Sequence, residues 1–192
     1  MFAARRPKTQ TTQGKRGTAL IEIKTKRAIE MSHCEIPLTK GYYAIVDASD
    51  YEKVNAFKWY AAERRTGTGR LTVYAGRGHG CILMHRFILG DSAAEIDHKN
   101  GDGLDNRRSN IRPASRTQNN ANMKKRLGAA SRFKGVSFHP GTGKWRAVIW
   151  SSGTRKHLGL FVREWDAAVA YNHAALETFG EFAKINKLKM EV

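Results

Sequence analysis

Between Glu95 and Asn122 the chain reads EIDHKNGDGLDNRRSNIRPASRTQNNAN. No other stretch restricts its fold as much. Asp97 stands beside His98, Asn110 follows twelve residues after the histidine, and Asn119 comes nine beyond that. Glu95 to His98 reads as a short strand. Lys99 to Asn110 is polar, with glycines at 101 and 103, and reads as a loop. Ile111 and Arg112 begin a second short strand that Pro113 soon ends. Ser115-Arg116-Thr117-Gln118 has the form of a capping box, so a helix is expected from Arg116 to about Arg126, with Gly128 as its stop. The order is strand, loop, strand, helix. It gathers an imidazole, an acidic oxygen donor and two amides, the groups that metal-assisted phosphodiester cleavage needs. Histidine is the side chain that is neutral and basic near pH 7, and Asp and Asn supply the oxygen that Mg²⁺ and Mn²⁺ prefer.

This segment resembles the HNH endonuclease family, whose active site is a ββα-metal finger. More closely it resembles phage and intron-type homing endonucleases with an H-N-N variant. The DH dipeptide, the LDNR-x-x-N-I-R loop and the following Q-N-x-x-N carry the likeness. The resemblance implies that His98 is the general base, that Asp97 and Asn119 hold one divalent ion, and that Asn110 fixes the loop and with it His98. With an amide in the third position, the ion expected is Mg²⁺ or Mn²⁺ and not tightly held Zn²⁺. Cys34 and Cys81 are the only cysteines, so neither a zinc-stapled variant nor a disulfide framework is expected. Neighbours on a strand point to opposite faces, so Asp97 and His98 can serve one phosphate only if the strand ends or bends there. Taken singly, each of these residues has a plainer reading as a turn, loop or helix-surface residue. His85, in Met84-His85-Arg86, reads as a satisfied buried histidine and receives no catalytic role.

The chain of 192 residues carries a net charge of +17 and a pI of about 10.2. Positive charge is in excess along its whole length, which points to an anionic polymer as partner, double-stranded DNA in this context. No apolar run approaches membrane-spanning length and no apolar signal core begins the chain. Neither a membrane nor an obligate protein partner is expected. The expected location is cytoplasmic, the host's cytoplasm if the protein is phage-encoded.

Residues 1–33 read as a basic arm without fixed structure. An endonuclease domain is expected over 34–127. It starts with a small β-rich subdomain whose strand candidates are Glu35 to Leu38, Tyr42 to Val46, Lys58 to Ala62 and Arg70 to Ala75, with a short helix from Asp50 to Phe57. Cys81 to Leu89 fits either a strand or a buried helix. Residues 128–131 read as a linker. From 132 to 188 the pattern is three strands and a helix: Lys134 to Phe138, Lys144 to Trp150, Arg155 to Phe161, then Glu164 to Phe179. On that helix Trp165, Ala168, Val169, Leu176 and Phe179 share a face. In the second strand Trp145, Ala147 and Ile149 point one way, and Lys144, Arg146, Val148 and Trp150 the other.

This last unit is similar to the AP2 domain of plant transcription factors and phage homing endonucleases. Lys134-Gly135-Val136, Gly143-Lys144-Trp145, Leu158-Gly159-Leu160-Phe161, Asp166-Ala167-Ala168 and Ala170-Tyr171-Asn172 carry the likeness. It implies a three-stranded antiparallel sheet on one helix, with the outer sheet face in the DNA major groove. By position, Lys134, Arg146, Arg155 and His157 are the expected contacts, with Trp150 and Tyr171 at the sugar-phosphate. Ser137, Val148 and Trp150 stand where plant members place charged residues, so the plant base preference does not transfer. Trp145, Trp165 and Phe161 are expected in the core, and Asn172 in hydrogen bonds to backbone. The fold class expected is therefore α+β: a β-rich part, a ββα finger and an AP2-like sheet on a helix. The function implied is a metal-dependent DNA endonuclease of homing type. A non-catalytic, sequence-specific DNA-binding regulator and a nonspecific DNase stay open as alternatives.

Overall fold

The computed structural model describes residues 33–65, 71–90, 94–125 and 128–188. The basic arm expected over 1–33 lies outside these residues, His33 excepted. The protein is α+β, built from several small antiparallel sheets and few helices.

Alternation sets the first sheet. β1 (His33–Pro37) and β2 (Tyr43–Asp47) pair antiparallel, and Ile36, Ala44 and Val46 turn inward. Helix α1 (Ala48–Asn55) follows at once and buries Val54 beside them. β3 (Tyr60–Arg65), β4 (Leu71–Arg77) and the two-residue β5 (Ile82–Leu83) form a second antiparallel sheet in the order β3-β4-β5. The open choice over Cys81 to Leu89 resolves into both forms: β5 leads directly into α2 (Met84–Leu89), which buries Met84, His85 and Ile88. Trp59, Met84, Ile88, Ile96 and Ile111 join Ile36, Val46 and Val54 in one core. The β-rich part and the hairpin after it therefore share one apolar interior.

That hairpin is β6 (Glu95–His98) and β7 (Ile111–Ala114), with His98 opposite Ile111 and Asp97 opposite Arg112. Pro113 sits inside β7. A two-stranded sheet has only edge strands, so a missing N–H is tolerated there. Helix α3 (Arg116–Asn122) begins with the expected capping box: the Ser115 hydroxyl accepts from the Gln118 N–H, and the Gln118 side chain accepts from the Ser115 N–H. It stops at Asn122, short of the expected Arg126. Met123 is already extended, with φ −58° and ψ 138°, and the last carbonyls of the helix are taken by side-chain and backbone donors from farther along the chain.

The C-terminal unit has its own core. β8 (Val136–His139), β9 (Lys144–Ser151) and β10 (Thr154–Phe161) form an antiparallel sheet in the order β10-β9-β8, and α4 (Glu164–Phe179) packs on it. The buried stripe of α4 is Ala167, Ala168, Tyr171, Ala174 and Ala175. It is rotated from the expected face, and Leu176 is exposed. Four alanines let the helix lie close against the sheet. A bulkier stripe would hold it off.

Gly135 shows how close this packing is. Its φ is +74°, and a methyl group there would overlap the Tyr171 ring. Its carbonyl also accepts from the Val148 N–H at 2.8 Å, so it has no freedom to move away. Gly135→Ala is expected to destabilise the protein by about 2–5 kcal/mol, from left-handed backbone strain and overpacking together. Chemical denaturation checks this, and a change under about 0.5 kcal/mol, the range of an ordinary surface substitution, would contradict it.

Candidate functional site

Asp97, His98 and Asn119 line one open cleft of about 820 Å³, together with Asn122, Gly103 and Tyr74. The cleft lies between the end of β6, the first part of the loop after it, the last turn of α3 and the first half of β4. The loop can close on β4 because residue 103 is glycine. A methyl group there would overlap the Val73 carbonyl and the Tyr74 ring.

Two anchors hold the loop itself. Asn110, buried, accepts from the Asn100 N–H at 3.0 Å and donates to the Asp105 carbonyl at 2.7 Å, tying the two ends of the loop together. Its side chain makes no hydrogen bond to His98; its own carbonyl accepts from the Lys99 N–H at 2.9 Å. The second anchor is the N-terminal hairpin. The Ile45 N–H donates to Leu104 and the Asn106 N–H to Ile45, at 2.8 and 2.7 Å. Arg108 donates through its backbone to Asp47 and through its guanidinium to both oxygens of Asp50. Arg107 forks onto Asp105 and holds that carboxyl below the usual carboxylate range.

The two neighbours on β6 do face different surroundings. Asp97 is 3% exposed. Its Oδ1 accepts from Asn122 Nδ2 at 2.8 Å and its Oδ2 from Arg112 Nε at 2.9 Å. The same Asn122 amide also donates to the His98 and Lys99 carbonyls. His98 is 6% exposed and turns toward aromatic rings, with His85 5.0 Å away edge-on and Tyr74 at 5.9 Å. Burial is the main cause that pushes the His98 imidazole below its usual pKa. The nearby Asn106 amide and the Asp97, Asp102 and Asp105 carboxylates pull it partly back. His85 is driven down to about 3, first by burial and then by His98, Arg86 and Arg64. Both rings are therefore neutral at pH 7. His98 Nε2 is buried and has no hydrogen-bond partner, an arrangement that costs free energy in a finished core.

Asn119 points its amide nitrogen at Glu95, 2.6 Å from Oε2. It reaches the cleft but does not bond to Asp97. Asn122 does. Asn122, Arg112, Tyr74 and His85 all surround the site and went unassigned from sequence. Arg112 and Asn122 had a signal, as the last residues of the N-I-R and Q-N-x-x-N motifs, and His85 was read as a buried histidine; Tyr74 had none.

The donor set can be tested against a metal ion. Among the described residues no three His, Cys, Asp or Glu side chains are grouped to cage one, so a closed zinc site does not fit. A hard ion that keeps several waters and takes one carboxylate, an amide oxygen and substrate phosphate does fit. Asp97 retains lone pairs beyond its two hydrogen bonds, and Asn119 Oδ1 is not engaged by any described residue. The Arg112 charge beside Asp97 competes with such an ion.

On the C-terminal sheet, Arg146, Trp150, Arg155 and His157 come to one face. Arg155 lies opposite Trp150 and His157 opposite Val148, and Trp150 is 62% exposed. Two other expected DNA contacts are corrected. Tyr171 is 4% exposed beneath Gly135, and burial pushes its hydroxyl up to about 12, so it belongs to the core. Lys134 has its ammonium on the carbonyls of Ala121 and Met123, at 2.5 and 2.8 Å. Burial lowers its pKa to about 8, and it faces α3 instead of open solvent. Asn172 bonds to backbone as expected, donating to the Asn186 carbonyl and accepting from its N–H.

The comparisons with known proteins follow the same division. No family model and no solved structure matches the chain. An uncharacterized HNH endonuclease of Acanthamoeba polyphaga mimivirus is 30% identical over 156 residues, covering 78% of this chain and 77% of that protein. APETALA2-like protein 2 of rice is 41% identical over 57 residues, and an AP2-like ethylene-responsive transcription factor of Arabidopsis thaliana is 40% identical over 57. These two matches cover 30% of this chain and only 13% and 12% of the plant proteins. An identity that spans three quarters of both chains, joined to a separate likeness to AP2 proteins, places the chain in the HNH endonuclease family, in an HNH plus AP2-like combination.

Proposed function

We propose that this protein is a metal-dependent endonuclease of homing type that hydrolyses phosphodiester bonds in double-stranded DNA. The hairpin β6-β7 with α3 is read as the ββα-metal finger, within an endonuclease domain over 34–127. Residues 132–188 are read as an AP2-like DNA-binding domain after the linker at 128–131. The observation that carries the reading is His98: a buried, neutral imidazole with an unpartnered nitrogen, in the same cleft as Asp97 and Asn119.

The residues work as follows. His98 takes a proton from the attacking water, and its burial favours the neutral form that can do so. The rings of Tyr74 and His85 fix its orientation. Asn110 holds the loop, so that β6 ends where Asp97 and His98 can both reach one phosphate. Asp97 and Asn119 would hold Mg²⁺ or Mn²⁺, which supplies charge stabilisation at the scissile phosphate and the leaving 3′ oxygen. The products carry 5′-phosphate and 3′-hydroxyl ends. Arg146, Trp150, Arg155 and His157 grip the DNA from the outer sheet face, where a sheet of this width fits the major groove.

Supercoiled plasmid incubated with the protein is expected to be nicked with Mn²⁺ or Mg²⁺ present, and to stay intact in EDTA. Gel-shift affinity should survive EDTA, because the grip comes from the basic surfaces and not from the ion. Nicking that continues in EDTA would defeat the metal assignment. Binding with no nicking under any ion, on DNA carrying the native target, would favour the regulator.

A further inference from the structure

The likeness to two separate families suggests a cutter and a reader joined by a tether. The contacts between them argue for something else. Lys134, at the start of the C-terminal unit, donates to the carbonyls of Asn120, Ala121 and Met123, at the end of α3. These carbonyls lie at and just past a helix C-terminus, where a cation is favoured by both hydrogen bonding and the helix dipole. The Ala121 carbonyl also accepts from the Lys184 N–H at 3.3 Å. Lys134 is itself held. Asn186 accepts from its N–H at 2.6 Å and donates to its carbonyl at 3.1 Å, and Asn172 on α4 grips Asn186 in turn. A second contact comes from β7. Arg112, which bonds Asp97, also donates to the carbonyl and carboxylate of Glu181, at 3.2 and 3.0 Å, and lies 3.6 Å over the Phe182 ring.

We propose that the Lys134 clasp and the Arg112–Phe182 stack seat the C-terminal unit on α3 as one body, so that the spacing between the DNA gripped by the sheet and the phosphate in the cleft is set by this interface and not by the linker. Lys134 is thereby a residue of cleavage-position specificity and not a DNA contact. The spacing rests on the nuclease reading; the seating does not. Domains joined only by a linker move relative to one another by default, and a seated pair does not.

The test uses the full chain with Cys34→Ser and Cys81→Ser, spin-labelled at Glu52→Cys on α1 and Glu177→Cys on α4. One narrow interspin distance is expected, and a Gly-Ser pair inserted between Gly128 and Ala129 should leave it in place. Lys134→Met with Phe182→Ala should widen the distribution by about twofold or more, as the default interdomain motion returns. Lys134→Arg, which keeps the charge and donors, should restore most of the order in an otherwise unchanged chain. The cut positions are then mapped on DNA selected by binding. They should hold through the insertion and scatter in the double variant. A distance or cut position that moves with the insertion overturns the proposal, whether or not the double variant folds. Failure of the clasp with cutting retained leaves the nuclease reading standing. A clasp that holds in a protein that never cuts keeps the seating, removes the cut-spacing claim, and places the failure with the nuclease reading.

Discussion

His98→Ala is expected to lower the plasmid-nicking rate by about 10²- to 10⁴-fold, the usual contribution of a positioned general base. DNA affinity measured in EDTA should stay unchanged. The size follows from the surroundings of the ring. Among the described residues its ring neighbours are Tyr74, which lines the cleft, and His85 behind it. His85 is pinned in the neutral state and packed edge-on against His98, so it orients the base and is not placed to replace it. Removing a buried ring also leaves a cavity, so the melting temperature must be followed beside the rate. Nicking within about tenfold of the parent, below the usual range for a lost base, would take His98 out of the reaction.

The second large effect is on stability. Arg112→Met is expected to destabilise the protein by about 3–5 kcal/mol, because it strands a buried carboxylate without its cation. Asp97 and Arg112 are 4% and 10% exposed at their side chains and 2.9 Å apart. The same substitution breaks the bonds to Glu181 and the stack on Phe182. Adding Asp97→Asn should recover part of the loss, because the stranded charge is then gone. Mn²⁺ offers a second check. An ion that binds only the folded state raises stability by mass action, so Mn²⁺ should raise the melting temperature of Arg112→Met more than that of the parent. Equal stability of the two proteins, or a double variant no better than the single one, would mean that Asp97 does not need its guanidinium.

The sequence was most legible where short-range chemistry decides the structure. Ser115 and Gln118 announce a helix start that the structure reproduces bond for bond. The strand at Glu95–His98 and the helix at Glu164–Phe179 fall at the expected bounds. The alternation over Lys144 to Trp150 assigns Trp150 outward. The parts that were not legible depend on partners far away in the chain. Lys134 looked free because the carbonyls it caps lie at the end of a helix, eleven to fourteen residues earlier. Arg112 was legible as a strand residue but not as a bridge to the C-terminal unit, because Glu181 lies 69 positions on. Tyr171 was misplaced because a phenol on an amphipathic helix suits either a core or a surface, and the glycine at 135 decides between them. The end of α3 was overestimated for a related reason: Lys134 and Lys184 satisfy its carbonyls from outside, so the helix needs no further turn.

The loop after β6 has a consequence for anyone cutting the gene into parts. A fragment starting near residue 94 would contain Asp97, His98, Asn110, Asn119 and Asn122 and would look self-sufficient on paper. It would lack Ile45, whose peptide group meets Leu104 and Asn106, and Asp47 and Asp50, which hold Arg108. The smallest portable cassette therefore has to begin before Tyr43, and grafting the shorter piece onto another DNA-binding scaffold would transplant the chemistry without its foundation.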